Sequence, residues 1–195
     1  MNGFPWTRDS AGMTLVELMV VIGVSALVAL LVTTVLFSSA HMGARTSRRA
    51  EIQGGSRQAL SMMTTELRQA GADPSIPPTG VVGIVAADSV KIHVRADLNG
   101  DGIIQTAEPS EEVTYAWSDS THVLSRDPGT GPEPVLSNVR ALTLKYFDEN
   151  NTQLTSLPLS ASDAARVHSI RISLTAEEGD SHPITLTTRA TLRNR

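Results

Sequence analysis

A chain of 195 residues, 41% of them hydrophobic, has room for one domain and an anchor. Lys and Arg number 16 against 20 Asp and Glu, for a net charge of −4 and a pI near 5.7, which argues against a nucleic-acid binder. The absence of Cys excludes thiol catalysis, Cys-based zinc sites and disulfides, so loops must be held in another way.

Residues 1–12, M-N-G-F-P-W-T-R-D-S-A-G, are polar and do not form a secretory signal. In such a signal a small-residue cleavage site follows the apolar region, whereas here Gly12 precedes it. The run 13–37 then carries a single charge, Glu17. As a helix it rises about 37 Å, enough to cross a hydrocarbon core of about 30 Å with some tilt. A carboxylate at mid-helix costs roughly 2.5–3.5 kcal/mol to insert, and less near an end. An intramembrane Glu17 is thus a functional residue by default, the bland alternative being a signal anchor with an accidental acid near the lipid surface.

Gly12 followed by M-T-L-V-E and an apolar helix resembles the processing site of type IV prepilins and pseudopilins. The resemblance implies that a prepilin peptidase cuts between Gly12 and Met13, and that the same enzyme methylates the new amine of Met13. The family's first mature residue is most often Phe; Met13 keeps its apolar character. Met13 and Glu17 stand one helical turn apart on one face. The resemblance implies that the Glu17 carboxylate of one subunit pairs with the Met13 amine of its neighbour and sets the register of a filament. A mis-staggered subunit would leave a charge unpaired. Arg45, Arg48 and Arg49 lie just beyond the apolar run. The positive-inside rule alone places them in the cytoplasm, while the processing motif places the leader there; the motif is followed here.

Residues 38–71 continue as an amphipathic helix. Met42, Ile52, Ala59, Leu60, Met63, Leu67 and Ala70 recur at helical spacing among charges such as Arg57, Glu66 and Arg68. Gly54-Gly55 is a predicted kink, and the helix is expected to stop at Ala70-Gly71 ahead of Pro74. Residues 72–80 are expected to form a loop, and after it the period changes to two. Strands are expected at 81–85, 90–94, 113–117, 122–124, 142–146, 170–174 and 184–186, with a hairpin over 118–121, a loop over 127–134, a turn over 148–151 and a short helical turn over 160–166. The expected fold is α+β and pilin-like: a long N-terminal helix, transmembrane in its first half, packed against one antiparallel β-sheet in a head spanning 72–195. L-R-Q-A-G before a Pro-containing loop, and N-V-R-A-L-T-L-K-Y-F-D followed by I-R-I-S-L-T-A, resemble PilW/PulJ-type minor pilins.

Residues 97–108, D-L-N-G-D-G-I-I-Q-T-A-E, fit the calcium-loop pattern D-x-[DN]-x-[DN]-G-x5-E. Asp97, Asn99 and Asp101 would supply side-chain oxygens, Ile103 its carbonyl, Gln105 a water-mediated contact and Glu108 a bidentate carboxylate to Ca2+. A strand before the loop and Pro109 after it set this apart from an EF-hand. A hairpin tip would explain Asn99–Gly102 but not Asp97 or Glu108. The five His residues (His41, His93, His122, His168 and His182) are scattered without metal-ligand spacing. No nucleophile elbow, phosphate loop or dinucleotide fingerprint is present, which leaves an envelope enzyme as the weakest reading.

These features point to a structural minor pilin or pseudopilin. The resemblance implies a single-pass inner-membrane precursor with its head in the periplasm, and later a place in a pilus or a type II secretion pseudopilus. Implied partners are the prepilin peptidase/methyltransferase, other pilins or pseudopilins, the inner-membrane assembly platform and membrane lipid, with no nucleic acid. The alternative is a single-span, membrane-anchored calcium-binding module outside any filament.

Overall fold

A computed structural model describes residues 14–105, 111–177, 179 and 182–192, with the backbone alone at 39–46. The chain divides into two units, Met1–Thr46 and Ser47–Arg195. Helix α1, Leu15–Gln69, contributes to both. In the first unit it is apolar on every side, with side chains from Leu15 to Phe37 exposed all round. The hydroxyls of Thr33 and Thr34 turn back onto the helix carbonyls of Ala29 and Leu31, which removes their need for an outside partner.

In the second unit α1 lays one stripe on the head. Ile52, Ala59, Leu60, Met63, Leu67 and Ala70 are buried, as the periodicity predicts. Ser56 and Thr64 are buried with them, and the Thr64 hydroxyl donates to Leu60 O at 2.6 Å. The helix is continuous through Gly54-Gly55 instead of breaking there. A Cβ on Gly55 would stand 3.2 Å from Leu136 Cδ1, a tight contact with the movable end of a side chain. Helix α1 ends at Gln69, and Gly71 just beyond it has a positive φ of 79°, the left-handed conformation that closes many helices.

The head holds two antiparallel sheets where one was expected. The first runs in order β1 Ile84–Ala87, β2 Lys91–Arg95, β3 Glu112–Ser118, β4 Val123–Asp127 and β5 Glu133–Leu136. The second has the order β7-β6-β8-β9, built from β6 Val139–Phe147, β7 Gln153–Leu154, β8 Ser169–Ala176 and β9 Ile184–Thr191. A short helix α2, Ala161–Ala164, precedes β8 and is capped by Ser160. Backbone and side-chain bonds tie the sheets together: Leu144 N donates to Ser89 O at 2.7 Å, Trp117 Nε1 to Val139 O at 2.9 Å, and Tyr146 Oη to Asp88 O at 2.7 Å. The inner faces, among them Ile92, Tyr115, Leu124, Leu144, Ile170, Ile172 and Leu174, close on Met63 and Leu67 to form one core.

Three strand boundaries depart from expectation. The first strand begins at Ile84 rather than Val81. The amides of Gly80 and Val81 are already given to the Asp73 carboxylate, and Gly83 passes against the end of α1. Strand β5 was not foreseen at all: residues 133–134 were assigned above to a loop and no strand was expected at 135–136. Pro134 is tolerated because β5 is an edge. Strand β7 follows the 148–151 turn and was not foreseen; two residues carry too little pattern to show.

Candidate functional site

The first site is the start of α1. Thr14 is the residue before the helix and Glu17 the third within it. Glu17 N donates to Thr14 Oγ1 at 3.3 Å, while Thr14 N donates back to Glu17 Oε2 at 3.0 Å. The Thr14 hydroxyl donates to the same oxygen at 2.9 Å. This is a capping box, in which two otherwise unpaired amides satisfy each other's side chains. Thr14 was not singled out above, although the T-x-x-E spacing is its signature. Among the described residues the hydrogen bonds to Glu17 fall on Oε2 alone. The amide that Glu17 holds belongs to the peptide bond joining Met13 to Thr14, one bond along from the expected cut. Gly12 and Met13 themselves lie outside the described residues.

Behind this cap, Leu15–Ser38 is long and apolar enough to cross a membrane, and none of it is buried within the protein.

Residues 7–36 match the prokaryotic N-terminal methylation motif. The match falls on Gly12, Met13 and Glu17 and supports a type IV pilin-like precursor. The pilin-like segment is thus the cap and the apolar helix behind it. No curated protein matches the chain.

The second site is the loop after β2. Asp97 is fully buried. Its Oδ1 accepts from Gly100 N at 2.7 Å and its Oδ2 from Gly102 N at 2.9 Å. Gly100 and Gly102 both have φ near +79°, which folds the loop back on this carboxylate. Asp101 Oδ1 accepts from Ile103 N at 2.8 Å, and its Oδ2 from Gln105 Nε2 at 2.7 Å and Asn99 Nδ2 at 3.1 Å. Led by the Ile103 amide, these donors outweigh a small desolvation and hold the exposed Asp101 below the usual carboxylate range. Gln105 is therefore bonded directly to Asp101, and the Ile103 side chain is largely exposed.

Glu108 lies outside the described residues. A carboxylate outside the pattern, Glu111, reaches the loop. It is buried and accepts from Leu98 N, Asn99 N and Gln105 N at 3.2, 3.3 and 3.1 Å. Nothing in its spacing marks it, since the calcium pattern ends at residue 108. Among the described residues no cluster of three or more His, Asp or Glu side chains is placed to hold a metal. The loop carries its carboxylates on its own amides.

Proposed function

We propose that this chain is a minor pilin or pseudopilin of the PilW/PulJ type, cut after Gly12, methylated at Met13 and assembled into a pilus or a type II secretion pseudopilus. One observation carries the reading. The methylation motif coincides with a helix that exposes an apolar surface all round and starts in a cap built on Glu17. An apolar helix of this kind needs lipid before assembly and other apolar helices after it. Glu17 holds Thr14 N through one carboxylate oxygen, leaving the other to meet the Met13 amine of a neighbour. The cap fixes where that charge sits, and the charge fixes the stagger. In this reading the head is periplasmic before assembly, and the partners are the prepilin peptidase/methyltransferase, the assembly platform and other pilins.

Intact mass and N-terminal sequencing of the protein from its native membrane test this directly. The expected species begins at Met13 and carries one added methyl group. A start at Met1 overturns it and leaves a membrane-anchored module. Glu17→Ala is expected to be cleaved normally yet be depleted from filaments; normal incorporation of that variant defeats the register mechanism.

For residues 97–108 we propose Ca2+ as the ligand, held by Asp97, Asn99 and Asp101 with Ile103, Gln105 and Glu108 in the pattern's remaining positions. Two features support it: the spacing, and the turning of the Asp97 and Glu111 carboxylates into one loop. The ion would fasten that loop in a head without disulfides.

A further inference from the structure

The second sheet ends at β9. Among the described residues this strand pairs with β8 alone, over the whole of Ile184–Thr191 and without a register shift. An edge strand presents unused N–H and C=O groups and is a template for another strand unless it is blocked. Proline, bulges, short length and charged side chains are common blocks. β9 has no proline, eight residues and a regular ladder, and its one charge, Arg189, would repel a basic strand but not an acidic one.

Cations flank this edge on both faces. On the outer face Lys145 of β6, Arg171 of β8 and Arg189 of β9 stand directly opposite one another in a single cross-strand row. Like charges side by side across a sheet cost roughly 0.2–1 kcal/mol per pair. None of the three has an acidic partner among the described residues. The guanidinium carbons of Arg171 and Arg189 lie over the Phe147 ring, at 4.9 and 4.8 Å from its centroid, which keeps both groups near the sheet. Arg189 is steadied further by Ser169 and Asn151. On the inner side a groove of about 390 Å³ runs between α1 and β9. Arg57 and Arg68 stand on its helix wall with Ser61 and Thr65 between them, and Leu186 and Thr188 form the strand wall. Spacings of four, four and three place those four helix residues on one face. Arg57 and Arg68 likewise have no acidic partner among the described residues.

Side chains of a strand point alternately to the two faces. A strand added to β9 would therefore send every second side chain into the groove, towards Arg57 and Arg68. The others would point outward, towards Arg189 and its row. Both sets would meet positive charge, in a protein whose net charge is −4. We propose that β9 is a docking edge that takes an extended, acidic segment of a partner protein as the fifth strand of this sheet. Main-chain hydrogen bonds would supply binding, and the cations on either side would select for acidic side chains. The inference does not depend on processing at Gly12.

The test uses the full-length protein in detergent micelles and labelled ten-residue peptides read by fluorescence anisotropy. The probes are an alternating Glu-Thr peptide, its Lys-Thr counterpart, and two Glu-Thr peptides N-methylated at alternate residues in the two possible phases. The expected result is binding of the Glu-Thr peptide at least tenfold tighter than the Lys-Thr peptide. One methylation phase should lose binding at least tenfold and the other keep it, because only one set of amides faces β9. The Arg57→Ser/Arg68→Ser double variant should weaken binding at least fivefold with an unchanged melting temperature, both residues being exposed. Equal binding of both N-methylated peptides would show attraction by charge without strand pairing and would overturn the proposal. So would equal affinity for the two charge types. Binding of a single-stranded oligodeoxynucleotide with none of the acidic peptide would overturn it in favour of a phosphate-binding face.

Discussion

Glu66 shows what a charge on an amphipathic helix conceals. Periodicity makes it one more polar residue between buried positions, yet its carboxylate accepts from Arg126 Nε at 3.0 Å and from Tyr115 Oη at 2.6 Å, with Arg126 Nη2 at 2.8 Å. Three residues from α1, β3 and β4 thereby become one unit, and burial together with Glu66 pushes the Tyr115 hydroxyl's pKa well up. Glu66→Gln or Arg126→Gln should each lower stability by about 2–3 kcal/mol, since each leaves a hydrogen-bonded charge unpaired. Denaturant unfolding in micelles checks this. The double variant should lose clearly less than the sum of the single losses, and strict additivity would refute the coupling. No local pattern announces such a triad, because its members lie far apart in sequence. Asp73 is also a residue whose role sequence leaves silent. The Ser75 hydroxyl, followed by the amides of Gly80 and Val81 and the Thr79 hydroxyl, outweighs desolvation and lowers its pKa from 3.8 to about 2. A depressed carboxylate stabilises the fold fully above its unfolded pKa, and that contribution is lost as pH falls through the folded one. The 73–81 loop should therefore stay closed through pH 3.8 and release near pH 2. The Gly80 amide chemical shift follows this, and a midpoint at 3.8 would contradict it.

At the scale of elements, long regular patterns were legible and close approaches were not. The stripe from Ile52 to Ala70 and the alternations of β2, β6 and β8 survive intact because burial on one face dictates them. What periodicity lacks is the distance between two backbones. Gly55 and Gly83 look alike in the sequence but differ in what surrounds them. A Cβ on Gly55 meets the end of a Leu side chain, whereas one on Gly83 would stand 2.6 Å from Gly71 N and 2.8 Å from Gly71 Cα. Backbone there cannot yield without moving the end of α1. Gly83→Ala should destabilise the protein by about 1–3 kcal/mol, the usual cost of overpacking. Gly55→Ala gains up to about 1 kcal/mol of helix propensity against a small shift of Leu136, and should stay within about 1 kcal/mol of the parent. Thermal melts of both variants decide the matter, and equal losses would show the two contacts to be alike.

For the whole molecule, the legible part is the N-terminal segment, where chemistry is written in consecutive residues: T-x-x-E makes the cap and the unbroken apolar run makes a helix long enough to cross a membrane. The loop at 97–105 is only half legible. Its acidic spacing is visible, but Glu111, which binds three of its amides, lies beyond the pattern. That difference gives the calcium proposal its sharpest test. If the loop were only a self-bonded turn, the Asp101 carboxylate would serve as an exposed acceptor for Ile103, Gln105 and Asn99, and Asp101→Asn would have little further effect. If it holds Ca2+, Asp101 supplies charge that an amide does not replace. Isolated extracellular calcium modules bind at about 10⁻⁴–10⁻³ M. At ten times its Kd the ion should add about 1.4 kcal/mol, or a melting shift of a few degrees. Calorimetry and melts of the full-length protein in micelles should show that shift with Ca2+ in the parent. Asp101→Asn should melt as the parent does in chelator and gain nothing from the ion, because the lost carboxylate lies outside the core. An absence of both heat and shift in the parent at about 10 mM Ca2+, ten times the weakest expected Kd, would leave Asp97 and Glu111 as organisers of a turn that needs no metal.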